Sequence, residues 1–249
     1  MTPQLIPAHN PGTLTGRGNN TYLLGALLID AGVGAAAHLD AVSAALGTLP
    51  LAQLVVTHGH SDHASGAPAI CNRWPGAVAS KHFPDGTVPG GWLQLSEGDR
   101  IDMGPRSLRV LATPGHAADH ICLFDEMTGD LFAGDMVIAG TTVLVPARAK
   151  GGSMRAYLHS LRRLRDLDAA RLLPGHGPVI ERPRDRINAI IEHRLEREAQ
   201  VVACLGQGLT EPAIIVARIY EGLLPALMPF AEETIVAHLE KLEEDRHGR

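Results

Sequence analysis

Apolar residues before position 180 fall into short runs that are separated by turn residues. The clearest run is TYLLGALLID, residues 21–30, which predicts two strands joined by a turn at Gly25. Helical spacing occurs over residues 34–46 and again after Ser153, which can cap the helix that follows it. Further short runs predict strands over residues 54–57, 78–80, 100–103, 107–112, 121–125, 130–133 and 171–173. This alternation predicts an α/β fold.

The pattern changes to purely helical spacing near the C-terminus. Residues 184–205 predict a long helix that is rich in arginine and glutamate and carries one isoleucine stripe. Thr210 is expected to cap a second helix that runs through Tyr220, and a third helix is expected to end near Glu244. The predicted division is a catalytic domain over residues 1–182 and an all-helical domain over residues 183–249.

Composition and charge exclude several classes of protein. The chain is 45% hydrophobic and 20% charged, which is ordinary for a globular protein with a core. Its net charge of −5 gives no overall attraction to nucleic acid or to an anionic membrane. No secretory leader and no apolar run of about 18–20 residues is visible, so we expect no membrane association. The three separated cysteines form no disulfide framework, which favours a cytoplasmic protein.

Four metal-ligand residues lie within one loop. The stretch VVTHGHSDHASG places His58, His60, Asp62 and His63 directly after a short predicted strand. Imidazole nitrogens and carboxylate oxygens are both ligands of zinc. Four side chains on one loop cannot all easily turn to one tetrahedral ion. We therefore expect His58 and His60 to serve one ion, and Asp62 and His63 to serve a neighbouring ion.

Each of those ions needs further ligands, and three other strand ends offer them. His116 in ATPGHAADH, Asp135 in LFAGDMV and His176 in LLPGHGPV each follow a predicted strand and lie beside glycine. Taken alone, each of these residues is more typical of an ordinary turn. Together with the HxHxDH loop they predict a single site built from four strand ends.

The motifs HxHxDH, TPGH, AGD and PGHG, in this order, resemble the metallo-β-lactamase fold superfamily over about residues 12–180. The resemblance implies a four-layer αββα sandwich with the site at one edge of its two sheets. By the same analogy Asn20 faces this edge and is a candidate for contact with the substrate. Asp30, at the end of the run LLID, is interpreted as a support for the ligands. In this family pattern one ion would be held by His58, His60 and His116, the other by Asp62, His63 and His176, and both by a bridging Asp135.

A narrower resemblance involves Asp135 and the ends of the chain. Superfamily members that hydrolyse lactams carry Cys or Ser at the matching point, whereas an aspartate is typical of glyoxalase II-like thioesterases and of phosphodiesterases and ribonucleases. Residues 10–25, 113–123 and 191–205 resemble the β-lactamase-like protein 2 subgroup, which includes an endoribonuclease and many bacterial hydrolases. This subgroup carries a C-terminal winged-helix-like domain, although the chain leaves little sequence for a β-wing.

These resemblances imply a hydrolase with two zinc ions, and iron or manganese are alternatives because similar sites accept them. A hydroxide between the ions would attack the substrate, and the catalytic carboxylates Asp62 and Asp135 would orient it. His120 is interpreted as a packing residue beside the ligands, so the acid that protonates the leaving group stays unassigned.

Three functions remain open. The leading hypothesis is hydrolysis of a small ester, thioester or similar acyl substrate between loops 82–92 and 140–152, where Arg148 and Lys150 could meet an anionic group. The second is cleavage of single-stranded RNA, which the subgroup supports and the acidic C-terminal region opposes: residues 184–249 hold 8 Lys and Arg against 12 Asp and Glu. The third is a non-catalytic protein that forms a homodimer through its C-terminal helices.

Overall fold

The computed structural model describes residues 2–12 and 16–247, and part of the 10–25 motif and both chain ends lie outside that range. Eleven strands are present among the described residues. They are β1 (Gln4–Pro7), β2 (Asn20–Leu24), β3 (Leu27–Ile29), β4 (Gln53–Val56), β5 (Val78–Lys81), β6 (Trp92–Gln94), β7 (Arg100–Asp102), β8 (Ser107–Ala112), β9 (Ile121–Asp125), β10 (Asp130–Gly134) and β11 (Arg171–Pro174). The helices are α1 (Ala36–Leu46), α2 (Ser61–Ala64), α3 (Ala67–Arg73), α4 (Met154–Arg165), α5 (Pro183–Gly206), α6 (Pro212–Ile219) and α7 (Met228–His247).

The strands form two sheets. One contains β1 to β6 in sequential order, and the other contains β11, β10, β9, β8 and β7 in that spatial order. Strands β3 to β6 pair in parallel, and so do β10 and β11. The carboxyl ends of parallel strands meet at one edge of a sheet, and the loops that follow them are therefore neighbours.

Apolar side chains divide into layers. The facing sheets share a core in which Tyr22 of β2 meets Phe132 of β10 edge to face, with ring centroids 5.5 Å apart. The outer face of the first sheet packs against α1 and α3, and the outer face of the second packs against α4 and the first half of α5. Helix, sheet, sheet and helix thus form four layers, which confirms the αββα fold.

The C-terminal helices form a small core of their own. Val201 and Cys204 of α5 pack against Ile215 of α6 and Ile235 of α7. No strand occurs over residues 183–247, so this region is all-helical as expected. Because the first half of α5 packs on the catalytic core, the domain boundary at residue 183 stays a prediction.

The elements match the sequence pattern with few exceptions. The Ser153 hydroxyl caps α4 by accepting from the main-chain N–H of Ala156 at 3.2 Å. The expected cap at Thr210 was wrong, because α6 begins at Pro212 with Glu211 in the capping position. Strands β1 and β6 and helices α2 and α3 were not predicted. Within the described residues, no helix combines the length and the apolar character needed to cross a membrane.

Candidate metal centre

Loops from both sheets meet at one edge of the sandwich. The loop after β4 carries His58 and His60, and α2 on the same loop carries Asp62 and His63. Strand β8 is followed by His116, β10 by Asp135 and β11 by His176. The structure brings all seven of the residues named from the sequence together at this edge. Their role as metal ligands is a proposal that rests on the geometry described next.

Three histidine nitrogens form the first group. Nδ1 of His60 lies 3.0 Å from Nε2 of His58 and 2.9 Å from Nε2 of His116. Ligands that bind one ion at about 2.0–2.1 Å in a tetrahedron are about 3.3 Å apart, and they come closer when the angles are smaller. The three nitrogens are therefore spaced to surround one ion.

Two histidines and a carboxylate form the second group. Nε2 of His176 lies 3.3 Å from Nε2 of His63 and 3.4 Å from Oδ2 of Asp62. The distance from His63 Nε2 to Asp62 Oδ2 is 3.7 Å. These separations again match those of neighbouring ligands on one ion.

The carboxylate of Asp135 lies between the two groups. Its Oδ2 is 3.7 Å from Nε2 of His116 in the first group and 3.4 Å from Nε2 of His176 in the second. Its Oδ1 is 3.5 Å from Nε2 of His63. This oxygen is buried and accepts no hydrogen bond from the described residues. A buried anionic oxygen without a donor is suited to contact with a cation.

Hydrogen bonds on the far side of each ring orient the histidines. Nδ1 of His63 donates to Asp30 at 2.8 Å, and Nδ1 of His116 donates to the Leu144 carbonyl at 2.6 Å. Nδ1 of His176 faces the Gly18 carbonyl at 3.3 Å. The Thr57 hydroxyl donates to Asp30, so it accepts from Nδ1 of His58 at 3.0 Å.

In the neutral form of all four histidines, which metal binding requires, Nε2 is left with its lone pair directed into the site. Lone pairs about 3 Å apart repel each other unless a cation lies between them. The nitrogen and oxygen atoms at the site therefore fit divalent ions. The Nδ1 atoms of the rings bind carboxylate, carbonyl or hydroxyl oxygens, as those of metal-binding histidines usually do.

Burial and neighbouring charges set the pKa values of the ligand side chains when no metal is bound. Burial lowers the pKa of His58 well below its ordinary value and lowers the pKa of His116 to about 4. Burial also acts to lower the pKa of His63, but the carboxylates of Asp135 and Asp30 outweigh it and raise that pKa well above its ordinary value. Burial acts to raise the pKa of Asp62, yet the hydrogen bond to His176 and the charge of His63 lower it to about 2. The carboxylates are thus ionised at neutral pH, as metal ligands must be.

The asparagine at the site is not the one expected from the sequence. The side-chain amide of Asn20 donates to the carbonyls of Pro174 at 2.9 Å and Gly177 at 2.7 Å, so it supports the backbone around His176. Asn19 faces the centre instead: its Nδ2 lies 3.2 Å from Asp62 Oδ2 and 2.9 Å from His63 Nε2. Adjacent residues that enter a strand point to opposite faces. Asn19 therefore faces the ligands, and Asn20 faces the backbone around His176.

His120 packs behind the centre. Its Nε2 accepts a hydrogen bond from the main-chain N–H of Asp135 at 3.0 Å, and its Nδ1 lies 2.9 Å from the Thr113 hydroxyl. The ring therefore carries its proton on Nδ1, where it is directed away from the ligands. This geometry removes His120 as the acid for the leaving group.

The rim of the centre is polar. Asp62 and His176 are the more accessible ligands of the second group, with 24% and 12% of their side chains exposed. Lys81 and Asp119 form an ion pair beside Gly59, at which an added Cβ would lie 2.8 Å from the Asp119 carboxylate.

Arg148 and Lys150 form exposed ion pairs with α7. The main-chain N–H of Arg148 donates to Glu240 at 2.9 Å, and its guanidinium lies 3.4 Å from Glu244. Lys150 pairs with Glu233 at 2.6 Å. Both side chains thus pair with carboxylates of α7, and their contact with an anionic group of the substrate stays a prediction.

A four-layer αββα sandwich with a histidine and aspartate cluster at its edge defines a class of metal-dependent hydrolases. The family model described as the metallo-beta-lactamase superfamily matches residues 14–176, and this chain belongs to that superfamily. A second model, the beta-lactamase associated winged helix domain, matches residues 212–247, which agrees with the predicted character of the C-terminal helices.

Individual relatives give a finer comparison. A beta-lactamase-like protein 2 homolog of Caenorhabditis elegans is 32% identical over 80% of this chain and 70% of its own length. An atrochrysone carboxyl ACP thioesterase of Aspergillus chevalieri is 30% identical over 99% of this chain and 83% of its own length. A crystal structure of a metallo-beta-lactamase family protein from Thermus thermophilus has a TM-score of 0.80 and 26% identity, and the match covers 98% of this chain and 93% of that one. Other relatives are longer, and the chain spans 64% of one from Aspergillus niger and 57% of one from Arthroderma benhamiae.

Proposed function

We propose that this protein is a dinuclear metal-dependent hydrolase that cleaves acyl thioesters or similar small esters. The observation that carries the proposal is the position of the Asp135 carboxylate, between three histidine nitrogens on one side and the His63, His176 and Asp62 group on the other. Two divalent ions bound there would supply a hydroxide at neutral pH and polarise the oxygen under attack. Zinc is the proposed metal, with iron or manganese as alternatives.

The residues of the chain have separable roles in this proposal. His58, His60 and His116 would hold one ion, and Asp62, His63 and His176 would hold the other. Asp135 is placed to serve as a ligand of both. The carboxylates of Asp62 and Asp135 stay ionised and orient the attacking group. Asn19 donates to Asp62 and limits the directions in which that carboxylate can turn.

The cysteine that follows the loop of His116 and His120 is not suited to act as a nucleophile. Cys122 lies on β9, is fully buried, and donates toward the Ala133 carbonyl. Burial raises the pKa of its thiol to about 12, so the reactive thiolate is scarce at neutral pH. This supports a mechanism in which water rather than a cysteine side chain attacks.

Thioesters are the favoured substrate class for two reasons. The relative from Aspergillus chevalieri carries the name of an acyl carrier thioesterase, and the match covers nearly the whole of this chain. A thiolate is also a good leaving group that needs no strong acid, and the proton of His120 lies on Nδ1, directed away from the ligands. Cleavage of RNA is the second outcome that the experiment must distinguish.

The test combines metal analysis with a panel of substrates. The purified protein is expected to contain two metal ions per chain and to hydrolyse acyl thioesters, and Asp135→Ala should abolish both properties. Asp40→Asn, which changes an exposed carboxylate on α1, serves as the matched control and should keep both. Cleavage of single-stranded RNA that Asp135→Ala abolishes, without thioester hydrolysis, would overturn the substrate class. Fewer than one ion per chain, together with no activity, would overturn the hydrolase proposal.

A further inference from the structure

The loop that follows Asp135 contacts both the candidate metal centre and the C-terminal helices. Residues 138–150, here called the bridging loop, follow Asp135 and precede α4. The carbonyl of Leu144 in this loop accepts the 2.6 Å hydrogen bond from Nδ1 of His116. The position of the bridging loop therefore sets the direction in which His116 presents Nε2 to the centre.

Two arginines of α5 bind main-chain carbonyls of the bridging loop. Nε of Arg186 donates to the Ile138 carbonyl at 2.8 Å, and its terminal nitrogen donates to Thr141. Arg194 donates to the carbonyl of Val143, the residue immediately before Leu144. Only 2% of Arg194 is exposed, and hydrogen bonds from a buried guanidinium are strong because the donor is charged.

Arg194 also contacts Tyr157, which packs against the residue before His116. The guanidinium carbon lies 5.6 Å from the centroid of the Tyr157 ring on α4. The main chain of Tyr157 in turn packs directly on Gly115, where an added Cβ would lie 2.3 Å from the Tyr157 Cα. Gly115 immediately precedes His116. One buried side chain thus contacts both structures that hold this histidine in place.

The outer part of the bridging loop is bound by α7. Glu240 accepts from the main-chain N–H of Arg148 at 2.9 Å, and Glu233 pairs with Lys150 at 2.6 Å. These contacts are exposed and individually weak. With them, α5 and α7 both bind the loop whose Leu144 carbonyl orients His116.

We propose that Arg194 is a positioning residue for the ion held by His58, His60 and His116, and that the C-terminal helices complete the scaffold of the metal centre. The inference rests on the proposed function in one respect, because it requires that the centre binds metal. Loss of Arg194 lets the Val143–Leu144 segment move, and His116 then loses the partner that fixes its ring. The other ion would take Asp62, His63 and His176, whose rings and carboxylate have their partners outside this loop.

Cobalt binding tests the inference without any assay of activity. Metal-depleted protein is titrated with Co²⁺ alone, and the visible absorption spectrum and chelator competition report each ion separately. Arg194→Met should weaken the binding of one Co²⁺ about tenfold and change its spectrum, while the second ion binds as before. Arg194→Lys keeps the charge and a donor, so its affinity should fall between those of Arg194→Met and the unchanged protein.

The matched control is Arg197→Met on the same helix. Arg197 lies over the ring of Tyr220 at 4.7 Å, within the C-terminal core, and should leave both affinities unchanged. Identical spectra and affinities for Arg194→Met and the unchanged protein would overturn the inference. If Arg194→Met does not fold, Arg186→Met decides in the same way, since Arg186 binds the same loop from a less buried position. An unchanged protein that binds no Co²⁺ would instead contradict the proposed function.

Discussion

The main-chain N–H of Asp135 donates a 3.0 Å hydrogen bond to Nε2 of His120. Both groups are buried, and the same histidine contacts the hydroxyl of Thr113 at the other end of its own loop, between β8 and β9. The ring thus provides the hydrogen-bond acceptor for the main-chain N–H of Asp135, the first residue after β10. His120 has a structural role at this site and no free proton to transfer.

Replacement of this ring should cost stability. In His120→Leu the Asp135 N–H loses its acceptor and stays buried, which should lower the free energy of unfolding by about 1–3 kcal/mol. Urea unfolding of the chelator-treated protein measures the change. His159→Leu alters an exposed histidine on α4 and is the control. Equal losses in the two variants would contradict the role given to His120.

Asp30 should be required for tight metal binding. Its carboxylate accepts from the main chain of Thr57 at 2.8 Å and from Nδ1 of His63 at 2.8 Å. In Asp30→Asn one oxygen becomes an NH₂ group that faces a donor, and metal affinity should fall about 10–100-fold. Asparagine accepts the positive φ of 64° at this position, so the backbone should be kept.

Chelator competition measures this affinity. Asp40→Asn is the matched control because it removes an exposed carboxylate. An Asp30→Asn protein with the affinity of the unchanged chain would show that His63 is held by other contacts.

A methyl group at Gly175 should disrupt the centre without disturbing the rest of the fold. A Cβ there would lie 2.6 Å from Oδ1 of Asp135 and 2.7 Å from Cε1 of His63. Gly175→Ala should therefore displace two ligands, reduce the metal content per chain, and cost about 1–3 kcal/mol through overpacking. Gly90→Ala adds the same methyl group where nothing lies within 4 Å. Full metal content in Gly175→Ala would contradict the geometry proposed for Asp135.

His38 should make the protein sensitive to acid. It is fully buried, its Nε2 contacts the Thr21 hydroxyl at 2.8 Å, and burial lowers its pKa from 6.5 to about 4. Because the unfolded chain binds a proton at higher pH than the folded protein, stability is lost as pH falls from 6.5 toward 4. This single group should account for about 3 kcal/mol of that loss.

His38→Gln keeps a donor for Thr21 and does not titrate. Its free energy of unfolding, measured in urea with chelator present, should vary less between pH 4 and 6.5 than that of the unchanged protein. His159→Gln serves as the control. Parallel pH profiles for His38→Gln and the unchanged protein would show that another group causes the acid sensitivity.

The sequence predicted most of the sandwich because buried strands and amphipathic helices carry periodic patterns. Strand β8 was predicted at its observed bounds, 107–112, and the helix capped by Ser153 was predicted correctly. Short elements without such a pattern were missed. Strand β1 buries only Ile6, and β6 has three residues with none fully buried, so neither alternates clearly.

In the candidate site, too, some residues could be predicted from the sequence and others could not. Ligand-type residues after strand ends could be found because chemistry and position coincide at His116, Asp135 and His176. Asn19 could not be told from Asn20, since the phase of a strand is set by its pairing rather than by two identical residues. The ion pairs of Arg148 and Lys150 were also beyond reach, because their partners lie more than 80 residues away on α7.

The ligands of the proposed first ion come from different sheets, with His58 and His60 following β4 and His116 following β8. An ion bound there would cross-link the two halves of the sandwich. Its binding energy would then add to the resistance of the whole fold against unfolding, in proportion to the logarithm of the free metal concentration. Metal scarcity would accordingly shorten the lifetime of the protein under proteolysis as well as silence its chemistry.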